Sequence, residues 1–138
     1  MKKTNIYDCS MLEIDKHHND KGNISVVENG KTIPFDVKRV YYLYDVPGGE
    51  SRGGHAHKEL QQFIVAASGS FDITVDDGEQ KRTFTVNRPY RRLLIVPGIW
   101  RELDNFSSGS VCLVLASTAY SADDYISDYN EFKQYKRL

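Results

Sequence analysis

The sequence predicts an all-β fold of jelly-roll type, a sandwich or barrel carrying one short C-terminal helix. Three observations predict it. Short alternating or unbroken apolar runs recur along the chain, Gly, Pro, Asn and Asp punctuate them at close intervals, and helical spacing occurs only in the tail after Ser121. At 138 residues the simplest organisation is one domain spanning 1–138, large enough to bury a continuous core.

Taken in order, residues 1–20 hold two small apolar patches, Ile6-Tyr7 and Met11-Leu12 with Ile14. The polar stretch from Asp15 to Gly22 reads as an exposed loop; His17 and His18 are adjacent and so point to opposite sides of an extended chain, which disfavours one metal site using both. Ile24–Glu28 reads as a strand and Asn29-Gly30 as a tight turn. Val37–Val46 is a long β-branched and aromatic strand. Val37, Arg39, Tyr41 and Leu43 share one face and Lys38, Val40, Tyr42 and Tyr44 the other, until Pro47-Gly48-Gly49 breaks it. Phe71–Asp76 alternates and turns at Asp77-Gly78 into Lys81–Val86, a strong hairpin signal. Leu93–Val96, Trp100–Leu103 and Val111–Ala116 follow, the last buried on both faces by its unbroken apolarity. In the tail, Ser121-Ala-Asp-Asp124 fits a helix N-cap. Tyr125, Ile126, Tyr129 and Phe132 then form one stripe, read as packing against the domain or a partner subunit.

Composition narrows the function classes. The chain is 40% hydrophobic and 27% charged, with 18 Lys and Arg against 19 Asp and Glu, which argues against a general nucleic-acid binder. Cys9 and Cys112 are far apart and form no C-x-x-C pair, so neither a disulfide scaffold nor a cysteine-built zinc site is expected. Residues 1–7 lack the apolar core of a signal peptide and no apolar run reaches membrane-spanning length. A reduced, cytoplasmic protein without membrane association is the expectation.

The chemistry concentrates between Arg52 and Gly69. His55 and His57 stand two apart, so on a strand both imidazoles project from one face. Gly53 and Gly54 before them permit close backbone approach, and Phe63–Ala67 supplies a buried framework. An imidazole has its pKa near working pH, which suits proton transfer.

The spacing His55-x-His57, then Gln62, then Gly69 resembles the first motif of the cupins. Pro97-Gly-Ile-Trp-Arg101 followed by Asn105 resembles the second. Metal cupins place a glutamate at the Gln62 position and a histidine at the Arg101 position. A neutral amide and a permanent cation at those points make a bound metal improbable here, and none is expected.

More narrowly, Arg39-Val-Tyr-Tyr-Leu-Tyr-Asp45, Arg52-Gly-Gly-His-Ala-His-Lys58, Trp100-Arg-Glu-Leu-Asp-Asn-Phe-Ser107, Val114-Leu-Ala-Ser117 and Asp124-Tyr-Ile-Ser-Asp-Tyr129-Asn-Glu-Phe132 resemble the WxcM-like cupins and, within them, the dTDP-sugar 3,4-ketoisomerases. The match runs from about Gly22 to Phe132. The resemblance implies a jelly-roll homodimer that isomerises dTDP-4-keto-6-deoxy-D-glucose to a 3-keto sugar with no metal or other cofactor. It also implies a PLP aminotransferase downstream, making 3-amino-3,6-dideoxy sugars for surface glycans. It assigns His55 as the base for the carbon-bound proton, His57 as its orienting or proton-sharing partner, and Tyr41 as the group handling the oxygen proton. Arg52 is a candidate pyrophosphate contact. Arg101 is a candidate for stabilising the enediolate or pyrophosphate, with an ion pair to Glu102 or Asp104 as the structural alternative. Lys21, standing where the family often has arginine, is a candidate phosphate contact, and Gln62 joins the substrate-binding set. Trp100 is either a stacking platform for the base or a core residue. A non-catalytic nucleotide-sugar-binding cupin is the alternative function.

Overall fold

The computed structural model describes residues 3–137. One sheet runs in the order β1 (Ser10–Glu13), β9 (Arg91–Ile95), β6 (Gln62–Ser68), β11 (Val111–Ala116), β4 (Arg39–Leu43). The second runs β12 (Tyr125–Ile126), β5 (Arg52–His57), β10 (Trp100–Asp104), β7 (Phe71–Asp76), β8 (Lys81–Val86). The strand ladders are antiparallel in both sheets. The jelly-roll expectation is borne out, with one short helix, α1 (Tyr129–Arg137), at the C-terminal end.

Alternation along the strands builds the core. Ile64, Ala66, Leu93, Ile95, Cys112 and Val114 of the first sheet pack against Ile73, Val75, Phe84, Val86 and Leu103 of the second. Each Val, Leu, Ile or Phe among them contributes about 1.5–3 kcal/mol when buried. Along β4, β5 and β10 the same inward-facing parity that carries Leu43 and Leu103 also carries Arg39, Tyr41, His55, His57 and Arg101. Polar chemistry is thus mounted on the walls of an otherwise apolar sandwich.

Three expectations are corrected. Asp15–Gly22 is not an open loop. β2 (Lys16–Asn19) and β3 (Gly22–Ser25) pair with each other as an exposed hairpin turning at Asp20-Lys21, and the strand expected over Ile24–Glu28 ends at Ser25. The helix expected from Ser121 begins only at Tyr129. Ser121 makes no capping hydrogen bond; the cap is Asp128, whose Oδ1 accepts from the amides of Asn130 at 2.7 Å and Glu131 at 3.1 Å. Tyr125 and Ile126 instead form β12, pairing with His57 and Ala56 on the edge of β5. An open strand edge beside them supplies backbone partners that a local helix would forgo.

Helix α1 packs on the outer face of the second sheet. Phe132, fully buried, joins Trp100, Ala56 and Ile126, with Tyr129 and Tyr135 around them. No described helix is long and apolar enough to cross a membrane.

Candidate active site

A cavity of about 510 Å³ opens where β4, β5, β10 and β12 meet. It is lined by Arg39, Tyr41, Leu43, Arg52, Gly53, Gly54, His55, Arg101, Tyr125 and Ser127. No carboxylate stands among these residues, while three are arginines. The lining is therefore cationic and complementary to an anion.

Each wall places its side chain for a local reason. β5 alternates, so His55 and His57 lie on one face, with Nε2 of each 3.2 Å from Nε2 of the other. Behind them, His57 Nδ1 lies 3.1 Å from Oδ2 of Asp124. Asp124 is held in turn by the amides of Glu59 at 2.8 Å and Leu60 at 3.3 Å. The Tyr125 ring packs against both imidazoles, with centroids 4.4 Å from His57 and 4.9 Å from His55. His57 is buried and His55 half-buried.

Arg101 sits opposite His55 in the β5–β10 ladder and is only 2% exposed. Its Nη2 donates to the Tyr41 hydroxyl at 2.9 Å, while Nε and Nη1 have no hydrogen-bond partner. It makes no ion pair with Glu102 or Asp104 among the described residues, so that structural alternative is not what the fold builds. Gly53 makes room for the guanidinium. Its φ is +75°, and a Cβ there would meet Arg101 Nη1 at 2.6 Å.

This environment sets the proton affinities. Burial first, then the Arg101 charge, pushes His55 down to about 2 and His57 down to about 4. Asp124 works in the opposite direction on His57. Both rings are therefore neutral near pH 7. Burial raises the Tyr41 phenol above its ordinary value against the pull of Arg101, so it is a protonated donor there. Because Tyr41 Oη accepts from Arg101, its own O–H remains for a ligand.

A divalent metal does not fit this donor set. The two imidazoles face a buried guanidinium rather than a third ligand, Gln62 offers only an amide, and no cluster of three His, Cys, Asp or Glu suited to a metal occurs among the described residues.

Comparison with known proteins agrees with the geometry. The family model described as FdtA, WxcM-like, C-terminal, matches residues 7–137. This chain belongs to the WxcM-like family. A TDP-4-oxo-6-deoxy-alpha-D-glucose-3,4-oxoisomerase from Aneurinibacillus thermoaerophilus is 41% identical over 125 residues, covering 91% of this chain and 90% of the relative. The structure of a 3,4-ketoisomerase from Helicobacter canadensis superposes with a TM-score of 0.92 at 41% identity, over 95% of this chain and 98% of that one. The 3,4-ketoisomerase QdtA from Thermoanaerobacterium thermosaccharolyticum, captured with TDP-4-keto-6-deoxyglucose in a histidine-to-asparagine mutant, gives 0.93 at 32% identity, over 96% of both chains.

Within this WxcM-like chain the fold brings Tyr41, Arg52, His55 and Arg101 to one cavity, with His57 directly behind. Three other candidates lie elsewhere. Trp100 points to the opposite side of β10 from Arg101 and packs edge-on to Tyr129 beneath α1, so it is a core residue rather than a platform for a base. Lys21 is exposed in the β2–β3 turn and does not line the cavity within this chain. Gln62 is buried in β6, also outside the lining. The sequence alone assigns Asp124 and Tyr125 to a helix start and a packing stripe and Arg39 to a strand face, not to the site. Arg39 Nη2 donates to the Tyr125 hydroxyl at 3.2 Å. The one advance signal was the inclusion of Asp124-Tyr125 among the family-like segments.

Proposed function

We propose that this chain is a TDP-sugar 3,4-ketoisomerase, moving the carbonyl of TDP-4-keto-6-deoxyglucose from C-4 to C-3 by acid–base chemistry. The carrying observation is a carboxylate-free cavity in which a neutral imidazole, a protonated phenol and a buried, part-unpartnered guanidinium converge.

The C-4 ketone acidifies the proton on C-3. His55, backed by His57, takes that proton and leaves an enediolate across C-3 and C-4. Arg101, whose Nε and Nη1 lack partners, stabilises the developing oxyanion. Tyr41 donates to the oxygen at C-4, the C-3 hydroxyl gives up its proton to become the ketone, and a proton returned to C-4 completes the exchange. Hydrogen leaves and returns as a proton, so the reaction calls for no redox cofactor. Arg52 and Arg39 at the cavity wall suit the diphosphate, whose oxygens match a guanidinium fork. A bound anion offsets the Arg101 and Arg39 charges that help lower both imidazoles and so raises their basicity, while the larger contribution from burial remains.

The same reading includes a homodimer. Val40 and Tyr42 on one face of the edge strand β4, and Tyr44 just beyond it, are 52%, 59% and 61% exposed, an apolar surface suited to a second copy. Sedimentation velocity should report twice the 15.8 kDa chain mass, and Tyr42→Lys should shift the population toward monomer. A cytoplasmic setting and a PLP aminotransferase consuming the 3-keto product complete the proposal. Both cysteines are free, as a reducing compartment keeps them, and a ketone is the group such an enzyme aminates.

The decisive experiment incubates metal-stripped protein with TDP-4-keto-6-deoxyglucose in D₂O and follows C-3 by NMR. Deuterium uptake and a new 3-keto product are expected from wild type, and neither from His55→Asn. Saturable binding without exchange would make the chain a nucleotide-sugar binder instead.

A further inference from the structure

Resting on the ketoisomerase reading, we propose that Asp124 is a positioning residue. By accepting the Nδ1 proton of His57 it turns that ring's Nε2 lone pair toward His55, so that the two imidazoles share one proton across a single contact.

The geometry leaves little choice of tautomer. A carboxylate only accepts, so His57 must carry its proton on Nδ1 to satisfy the 3.1 Å contact to Asp124. In a neutral ring Nε2 then presents a lone pair. Since the facing atom 3.2 Å away is His55 Nε2, His55 must supply the N–H of that contact. A proton arriving at His55 is matched by transfer of one proton to His57 Nε2, with no movement of heavy atoms. The imidazolium so formed faces the Asp124 carboxylate through its Nδ1–H, and the reverse transfer gives the proton back.

Asp124 is not a free rotor. Glu59 and Leu60 donate to its carboxylate, Lys58 N donates to its carbonyl at 3.0 Å, and the next residue, Tyr125, pairs with His57 in the β5–β12 ladder. The same strand thus sets both the ring's backbone and the carboxylate behind it. Asparagine at 124 would keep an oxygen for a loop amide but present an NH₂ to His57 Nδ1. That forces the opposite tautomer, places a proton on His57 Nε2 and reverses the contact with His55.

The test measures ring ¹⁵N signals, kcat and KM for wild type, Asp124→Asn and Ser117→Ala. Ser117 accepts from the Gln61 amide at 2.9 Å, so its loss loosens the same 58–61 loop without touching a histidine. Wild type should show His57 protonated on Nδ1, and Asp124→Asn should show it on Nε2. A lost proton-transfer arrangement should lower kcat by about 10²–10⁴-fold with KM little changed. Ser117→Ala should melt earlier yet keep the wild-type tautomer and kcat. Wild-type His57 protonated on Nε2 overturns the proposal whether or not the variant folds. So does an Asp124→Asn enzyme whose kcat falls by less than about tenfold, or a Ser117→Ala variant that loses kcat equally. The ring signals need no substrate. A wild-type chain that isomerises no TDP-sugar would therefore sink the ketoisomerase reading while the tautomer still decides this one.

Discussion

Arg101 is a buried cation that no carboxylate among the described residues neutralises, held by one hydrogen bond to Tyr41. Such a group is costly in an apolar wall unless an anion completes it, and its position opposite His55 suits the proposed enediolate. Tyr41→Phe removes both the acceptor for Arg101 and the proposed oxygen acid. Turnover should fall by about 10²–10⁴-fold while the strand, which needs only the ring, stays folded; steady-state rates with circular dichroism check this. The histidines make a second prediction. Both native rings titrate below the ordinary 6.5, His57 at about 4 and His55 at about 2. Between pH 6.5 and those values the unfolded chain binds more protons than the native one, so stability must fall as pH drops through that window. Melting temperatures from pH 7 to pH 4 should decline, and more shallowly in His57→Gln than in wild type.

At the scale of elements, Gly53 of β5 has a left-handed backbone and lies against the Arg101 guanidinium from β10, which a Cβ there would meet at 2.6 Å. Gly53→Ala should cost about 1–2 kcal/mol from the left-handed backbone alone, and the added methyl displaces Arg101 from Tyr41. Urea unfolding and kcat should therefore both report loss, and a variant normal in both would place Arg101 outside the machinery. Helix α1 is tied to the site through its packing. Phe132 closes the cluster over Trp100 and Ile126, and Ile126 belongs to the strand that positions Tyr125 and Asp124. Phe132→Ala should cost about 3–5 kcal/mol and raise amide exchange in β12 before the rest of the second sheet. Legibility in the sequence followed the same division. The β7–β8 hairpin was plain because Phe71–Asp76 alternates and Asp77-Gly78 can only turn. The β2–β3 hairpin was not, because both its faces are exposed and Ile24 is its one apolar side chain, which leaves no periodic signal. β12 was hidden for another reason. Two apolar residues before Tyr129 and Phe132 fit a helical stripe as well as a strand, and only the open edge of β5 decides between them.

At the scale of the molecule, the sandwich separates two jobs. Its apolar middle supplies rigidity, and the polar stretch of its inner walls gathers residues from β4, β5, β10 and the β12 segment into one cationic cavity. A second depression of about 430 Å³ beside α1 shows the contrast. There Lys136 ties the carbonyls of Thr4 at 2.7 Å and Gly98 at 2.9 Å, stapling the N-terminal segment to the 97–98 turn rather than awaiting a ligand.

Strand periodicity, turn residues and the His-x-His spacing were enough by themselves to determine an all-β sandwich and a pair of imidazoles on one face, because both are local consequences of a two-residue repeat. The resemblance to the cupins further implied that a permanent cation, Arg101, stands where metal cupins carry a histidine ligand. Only the tertiary structure decided that Trp100 is core, that Arg101 pairs with Tyr41 rather than an acid, and that Asp124 stands behind His57 from sixty-seven residues away. Those outcomes depend on which strand edges remain open once the sheets assemble, and a local repeat carries no information about a neighbour so distant in the chain.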